Sequence, residues 1–286
     1  MNKWIAGARP RTLPAAIAPV FVGTALIRRD HHSINYLNAL LALAVSLLLQ
    51  VAVNFSNDYS DGIRGTDSNR VGPTRLVASG LAEARAVKRA AIICFALASV
   101  LGIILAARSS WWLIFAGALS ILAAWTYTGG SKPYGYLGYG EISVFLFFGL
   151  VATVGSYFVQ AHRITGQAIL VSLPVGALSC AILAVNNLRD LPKDSLVGKR
   201  TLAVRLGDKR ARQMFIGLLI LAHLAALIAA FITPRTLITL AFLPVTLRIA
   251  KRVIAGAKGA DLIPVLGQVG KLQLLLSTTL AIALLV

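Results

Sequence analysis

The chain has 286 residues, 57% of them hydrophobic and 13% charged, with a mean hydropathy of +0.78. Soluble domains carry about 25% charged residues, so this composition excludes a soluble globular enzyme, a disordered chain and a disulfide scaffold, and points to a membrane protein. The net charge of +18 sits between apolar stretches, the pattern of a polytopic membrane protein, and argues against a nucleic-acid partner.

In chain order, the apolar stretches that predict membrane helices are residues 12–27, 33–57, 90–107, 109–127, 142–162, 164–188, 213–234, 236–254 and 262–286. Most approach the roughly 20 residues that cross a bilayer core as a helix. The first is short and carries Pro14 and Pro19, and the last two are interrupted by Arg248, Lys251, Arg252 and Lys271. The reading is an all-α integral membrane protein of about nine transmembrane helices, one polytopic domain over residues 1–286. The basic, then apolar, start lacks a convincing cleavage site and reads as a retained first helix. Cys94 and Cys180 lie in apolar stretches and read as small buried hydrophobes rather than as a disulfide.

Place the N-terminus in the cytoplasm and let the helices alternate. All of the 28 lysines and arginines except Arg28, Arg29, Arg108, Arg163 and Arg235 then fall in cytoplasmic loops, as the positive-inside rule requires. The acids are more telling. Of the ten, only Asp30 lies on the opposite side, and the rule for basic residues does not account for that.

The second span ends in Asn54-Phe55-Ser56-Asn57-Asp58-Tyr59-Ser60-Asp61, and the sixth in Asn186-Asn187-Leu188-Arg189-Asp190-Leu191-Pro192-Lys193-Asp194. Each sets an Asn, an Asp four residues on and a further Asp three or four beyond, a spacing that shares one helix face. Ionisable groups at membrane depth are costly and functional. Clustered carboxylates call for a cation, and hard oxygen ligands suit Mg2+, which bridges to substrate phosphates. Pro192 predicts a helix break inside the second motif, of the kind tolerated where backbone lines a cavity.

Basic loops follow both motifs: Arg64-Gly65-Thr66-Asp67, then Gly72-Pro73-Thr74-Arg75, and Gly198-Lys199-Arg200-Thr201. Lys and Arg beside Mg2+ are how proteins hold a diphosphate. Arg75, Lys199 and Arg200 stand out through their Gly, Ser and Thr neighbours. A third loop, residues 127–141, holds four of the seven tyrosines. It reads either as an interfacial aromatic belt or as an aromatic mouth able to stack on a ring.

These stretches resemble the UbiA superfamily of intramembrane prenyltransferases over nearly the whole chain. The resemblance is carried by Ala8-Arg9-Pro10-Arg11-Thr12-Leu13-Pro14 and by residues 54–67, 72–80, 127–160 and 186–206. The runs Tyr127-Thr128-Gly129-Gly130-Ser131-Lys132-Pro133-Tyr134 and Asn186-Asn187-Leu188-Arg189-Asp190 favour its 1,4-dihydroxy-2-naphthoate branch. The resemblance implies nine helices around a central cavity, a lateral opening for a lipid tail and an active site facing the cytoplasm of a bacterial cell. It implies Mg2+-dependent transfer of a polyprenyl group from a polyprenyl diphosphate to 1,4-dihydroxy-2-naphthoate, with loss of CO2.

By the same resemblance, Asp58, Asp61, Asp190 and Asp194 would hold Mg2+ and diphosphate, with Asn54 and Asn186 in support and Asp67 as an outer acid. Asn57, Asn187, Arg64, Arg75, Lys199 and Arg200 complete the expected donor site. Tyr127 and Tyr134 are expected near the acceptor, and Lys132, Arg9 and Arg11 are candidates for its carboxylate by location alone. No general base stands out among Tyr127, Tyr134 and Glu141, and His223 reads as a core polar group. Other acceptors, 4-hydroxybenzoate or homogentisate, share the Asp motifs. From another class, an ion-coupled secondary transporter with two related half-sites is the alternative.

Overall fold

In lipid, a backbone must satisfy its polar groups within its own segment, so a chain of this composition folds as helices. The computed structural model describes residues 2–66 and 74–286. Its helices are α1 (Lys3–Ala8), α2 (Pro14–Arg29), α3 (Tyr36–Ile63), α4 (Ala84–Arg108), α5 (Trp112–Thr126), α6 (Gly140–Val144), α7 (Ala152–Ala161), α8 (Gly166–Leu196), α9 (Leu202–Ala229), α10 (Leu243–Ile254) and α11 (Leu262–Leu285). A π-helical stretch, Phe145–Val151, joins α6 to α7, and no described residue lies in a strand. Polar caps mark several starts: the side chains of Asn35, Thr165 and Thr201 accept from the N–H groups of Asn38, Ala168 and Val204.

Among the described residues, six helical units are long and apolar enough to cross a bilayer: α3, α4, Gly140–Ala161, α8, α9 and Gly259–Leu285. A seventh is the pair Lys3–Thr12 and Pro14–Arg29, bent by 51°. The apolar α5 has only 15 residues. The expected eighth span divides into a 3-10 segment, Pro234–Phe242, and the amphipathic α10. Proline at its start and Arg248, Lys251 and Arg252 on its later turns keep it from forming one long apolar helix. Among the described residues, helix length and composition thus establish six or seven of the nine expected spans.

One expectation is corrected. α8 runs through Pro192 without a break. Proline forfeits one N–H bond to the preceding turn, and here that loss falls close to the end of a long, well-packed helix. Asp190 and Asp194 thus remain four residues apart on one continuous face.

α8 is the central post of the bundle. Leu178 and Leu188 on it pack with Phe215 and Leu219 of α9 and with Leu272 and Leu276 of α11. Higher up, Val171 and Val175 join Leu26 and Ile27 of α2, Tyr157 of α7 and Leu280 of α11. Apolar burial does little to associate helices in lipid, so close backbone approach matters more. Gly149 and Gly176 supply it: a β-carbon on Gly149 would stand 2.7 Å from the Gly176 Cα. This contact sets the π stretch directly against α8. At the far side from the motifs, Asp30 accepts the Tyr157 hydroxyl and pairs with Arg29 at 3.3 Å and Arg163 at 3.5 Å.

A Gly149→Leu substitution would force α8 and the π stretch apart at a cost of about 1–3 kcal/mol, typical of overpacking. It should lower the melting temperature of the detergent-solubilised protein. Gly155→Ala, where nothing lies within 4 Å of the new carbon, should leave it unchanged. Equal melting of both variants would refute the tight contact.

Candidate active site

Helices α2 to α8 wall a cavity of ≈ 510 Å³. On α3 its lining runs from Ala42 to Asn57, about 22 Å at 1.5 Å per residue. The deep part is apolar, with Leu105, Phe147, Phe148 and Val159 among its walls. The end near the motifs is polar: Arg9, Thr12, Gln50, Asn54, Asn57, Tyr127, Tyr134 and Asn186 all line it.

The mouth is built by the ends of α3 and α8. α8 closes on Val197, whose N–H donates to the Lys193 carbonyl, and Gly198 then turns left-handed at φ 76°. Such a turn favours glycine. It returns the chain so that the Lys199 N–H donates to the Asp194 carbonyl at 2.9 Å. The Lys199 ammonium then donates to Asp61 Oδ1 at 3.2 Å. Asp61 also accepts the Tyr136 hydroxyl at 2.5 Å and stands 3.8 Å from Arg75. Lys199 lies over the Tyr136 ring, 4.6 Å from its centre. Asp190 is gripped by Arg189 through two bonds of 2.7 and 2.8 Å, and Asp194 is buried.

The expected four-acid set is not a preassembled cage. No three acids, histidines or cysteines among the described residues come together as a metal-holding group. Asp58 in particular faces elsewhere. It is fully buried, and its two oxygens accept the backbone N–H groups of Leu76 at 2.8 Å and Val77 at 3.0 Å. It therefore grips the segment that carries Arg75. The pair that matches Asn186 and Asp190 is Asn57 and Asp61, four residues apart: Asn57 and Asn186 line the cavity, with each Asp one turn further out.

The other expected residues sort as follows. Asn54 lines the cavity, donates to the Ala8 carbonyl and the Thr12 hydroxyl, and accepts from Gln50. Asn57 accepts from Thr128 at 2.7 Å. Arg64 donates to the Thr128 and Gly130 carbonyls and lies over the Tyr136 ring, so it folds the tyrosine loop onto α3. Arg200 is exposed, and its N–H donates to the Tyr136 carbonyl. Asn187 turns from the cavity to donate to Glu141 at 2.9 Å. Tyr127 and Tyr134 meet edge to face in the cavity wall, and Tyr134 bonds Ser143 and the Ala123 carbonyl. Lys132 and Arg11 are exposed and do not line the cavity. Asp67 lies outside the described residues.

Sequence reasoning missed Tyr136, Gln50, Thr12 and Thr128. Burial chiefly, and then the Asp61 charge, raise the Tyr136 hydroxyl above its ordinary value, against the lowering effect of Lys199. Burial also raises Tyr134. Both are neutral donors at pH 7 rather than bases.

Fold and site define an integral membrane protein built around an apolar chamber with an ionic mouth. The chain belongs to the UbiA prenyltransferase family, which it matches over residues 16–283. It is 49% identical over 282 residues to a 1,4-dihydroxy-2-naphthoate octaprenyltransferase of Mycobacterium tuberculosis, covering 99% of this chain and 96% of that one. A protein of the same name from Mycobacterium leprae is 47% identical over 268 residues, with 94% and 91% covered. In fold it resembles a UbiA homologue from Archaeoglobus fulgidus bound to DMAPP and Mg2+, at a TM-score of 0.72 and 17% identity over 99% of each chain.

Asp58→Ala would leave the Leu76 and Val77 N–H groups without their acceptor, costing about 1–3 kcal/mol for a buried group. The variant should melt at lower temperature and be cut faster by trypsin after Arg75. Unchanged melting and cleavage would show that Asp58 does not hold this segment.

Proposed function

We propose that this protein transfers a polyprenyl group from a polyprenyl diphosphate to 1,4-dihydroxy-2-naphthoate, releasing CO2 and diphosphate and forming a demethylmenaquinol. The observation that carries this reading is the joining of two acid-and-amide helix ends through Lys199 at the mouth of a long apolar chamber. Such a site suits a substrate with a charged head and an apolar tail. The acceptor follows from the names of the relatives above, and the chain length they carry, octaprenyl, is the starting choice for the donor.

Mg2+ is held by one or two carboxylates together with substrate phosphates rather than by an all-protein cage. Asp61, Asp190 and Asp194 offer such oxygens without forming a closed cage, so the donor set fits a magnesium–diphosphate head. When bound, the ion would neutralise charge on the departing diphosphate. Lys199 and Arg75 would turn from Asp61 toward the phosphate oxygens and stabilise the same charge. Asp58 acts behind them by holding the Arg75 segment. The apolar chamber takes the tail and keeps water from the allylic centre.

The allylic C–O bond breaks with its electron pair leaving on diphosphate. The ring carbon that bears the carboxylate then bonds the allylic carbon. The bond to the carboxylate breaks, its pair returns to the ring, and CO2 departs. Loss of CO2 replaces the loss of a ring proton, so the overall step needs no general base. That fits the cavity wall, where Tyr127 and Tyr134 sit beside no histidine among the described lining residues.

We place the motif side in the cytoplasm, because all but five of the basic residues border it. We read the chain as one membrane domain of the bacterial inner or plasma membrane, because helices from α2 to α8 share the chamber wall.

With octaprenyl diphosphate, 1,4-dihydroxy-2-naphthoate and Mg2+ in nanodiscs, the protein should form prenylated naphthoquinol and CO2, and chelation should stop the reaction. Asp61→Ala and Asp190→Ala should each lower kcat/KM by at least about 100-fold, as when charge-stabilising groups are lost. Near-wild-type turnover of both at saturating Mg2+ would remove these acids from the site.

A further inference from the structure

Among the described lining residues of the cavity, Arg9 is the only lysine, arginine, aspartate or glutamate. It caps the C-terminus of α1 and opens the 3-10 turn Pro10–Thr12 that leads to α2. Its backbone is left-handed, at φ 53° and ψ 72°, a conformation uncommon for a residue with a side chain. The surroundings impose it. The Arg9 N–H donates to the Ala6 carbonyl at 3.2 Å, and its own carbonyl accepts the Thr12 N–H at 2.9 Å and the Thr12 hydroxyl at 3.0 Å. Two residues earlier, Gly7 lies so close to Leu76 and Phe55 that a β-carbon would stand 2.7 and 2.8 Å from them. The short α1 is thereby pinned to α3, and Arg9 is held at the cavity wall.

The Arg9 Nη2 donates to the Asn54 carbonyl at 3.2 Å. Beside it, Gln50, Asn54 and Thr12 bond one another, so this end of the wall is ordered before any ligand arrives. A planar guanidinium fork matches a carboxylate in two-bond geometry.

We propose that Arg9 receives the carboxylate of the aromatic acceptor and thereby sets which ring carbon faces the allylic centre. The inference rests on the function proposed above. The diphosphate has its own cations at the mouth, Lys199 and Arg75, whereas the acceptor's one permanent charge must be met inside an apolar chamber. Lys132 and Arg11 do not line that chamber. The contact exists only in the substrate, because the carboxylate leaves as neutral CO2. The product has no group for Arg9 to hold, so the same residue favours entry of the acid and departure of the quinol.

The test uses full-length protein in nanodiscs, as wild type, Arg9→Lys and Arg9→Gln, each checked for an unaltered melting temperature. For Arg9→Gln, the KM for 1,4-dihydroxy-2-naphthoate should rise about 10- to 100-fold, the range for losing a charge-assisted bond. The KM for octaprenyl diphosphate should stay within about 2-fold, as expected when binding to one substrate alone is lost. Arg9→Lys should fall between. Binding of 1-hydroxy-2-naphthoate, measured without prenyl donor, should weaken by the same factor, while 1-naphthol, which lacks the carboxylate, should bind all three proteins alike. A rise in the diphosphate KM instead, or equal weakening of 1-naphthol, would overturn the assignment. If the wild type transfers nothing to the naphthoate, the proposed function fails. If it does, and Arg9→Gln keeps its naphthoate KM, only the role of Arg9 fails.

Discussion

Lys199 is the residue on which the mouth depends. Its backbone closes α8 on the Asp194 carbonyl, and its ammonium reaches Asp61 on α3. Two helix ends far apart in the chain thus meet through one side chain. Carboxylates gathered out of water repel and lose hydration, a cost that only close counter-charges offset. Lys199, Arg75 and Arg189 are those counter-charges. A metal-bound diphosphate therefore enters by exchanging partners within a balanced set. The left-handed Gly198 makes this possible, since a chain continuing straight from α8 would carry Lys199 away from Asp61.

The helical fold was legible wherever an apolar run was long. It was least legible where length failed, at α5 and in the stretch divided before α10. The site was legible as two acid-rich helix ends, but not in its register. Helical spacing places Asn54, Asp58 and Asp61 near one face, and it does the same for Asn57 and Asp61. Only the segment beginning at Leu76, remote in sequence, decides that Asp58 is turned to the backbone. Tyr136 was hidden for a similar reason. It is one of four tyrosines in a glycine-rich loop, and its choice of Asp61 follows from Arg64 fastening that loop to α3. Lys132 has the more conspicuous sequence context, yet it points outward.

The two sides of the site are mechanically linked. Asp58 holds Leu76, and Leu76 packs on Gly7 of α1. α1 in turn ends on Arg9, its C-cap. The contact chain runs from the ionic mouth to the inner wall through three residues, none of which lines the chamber. Gly149 against Gly176 does the same on the opposite wall, locking the π stretch and its Phe147 and Phe148 to α8. Both halves of the chamber are thus set by close contacts outside it.

The deep end of the chamber has an electrical consequence. Val20, Ala42, Leu105 and Val159 line it and pack together as a buried apolar cluster, near the helix ends opposite the motifs. An energised membrane imposes about 2.3 kcal/mol per elementary charge for each 100 mV, so a water-filled passage along this cavity would leak protons. An apolar constriction that excludes water also excludes ions. Four such side chains would exclude water from that end, and a polar, charge-handling pocket could then lie within the bilayer without a conducting path through the protein.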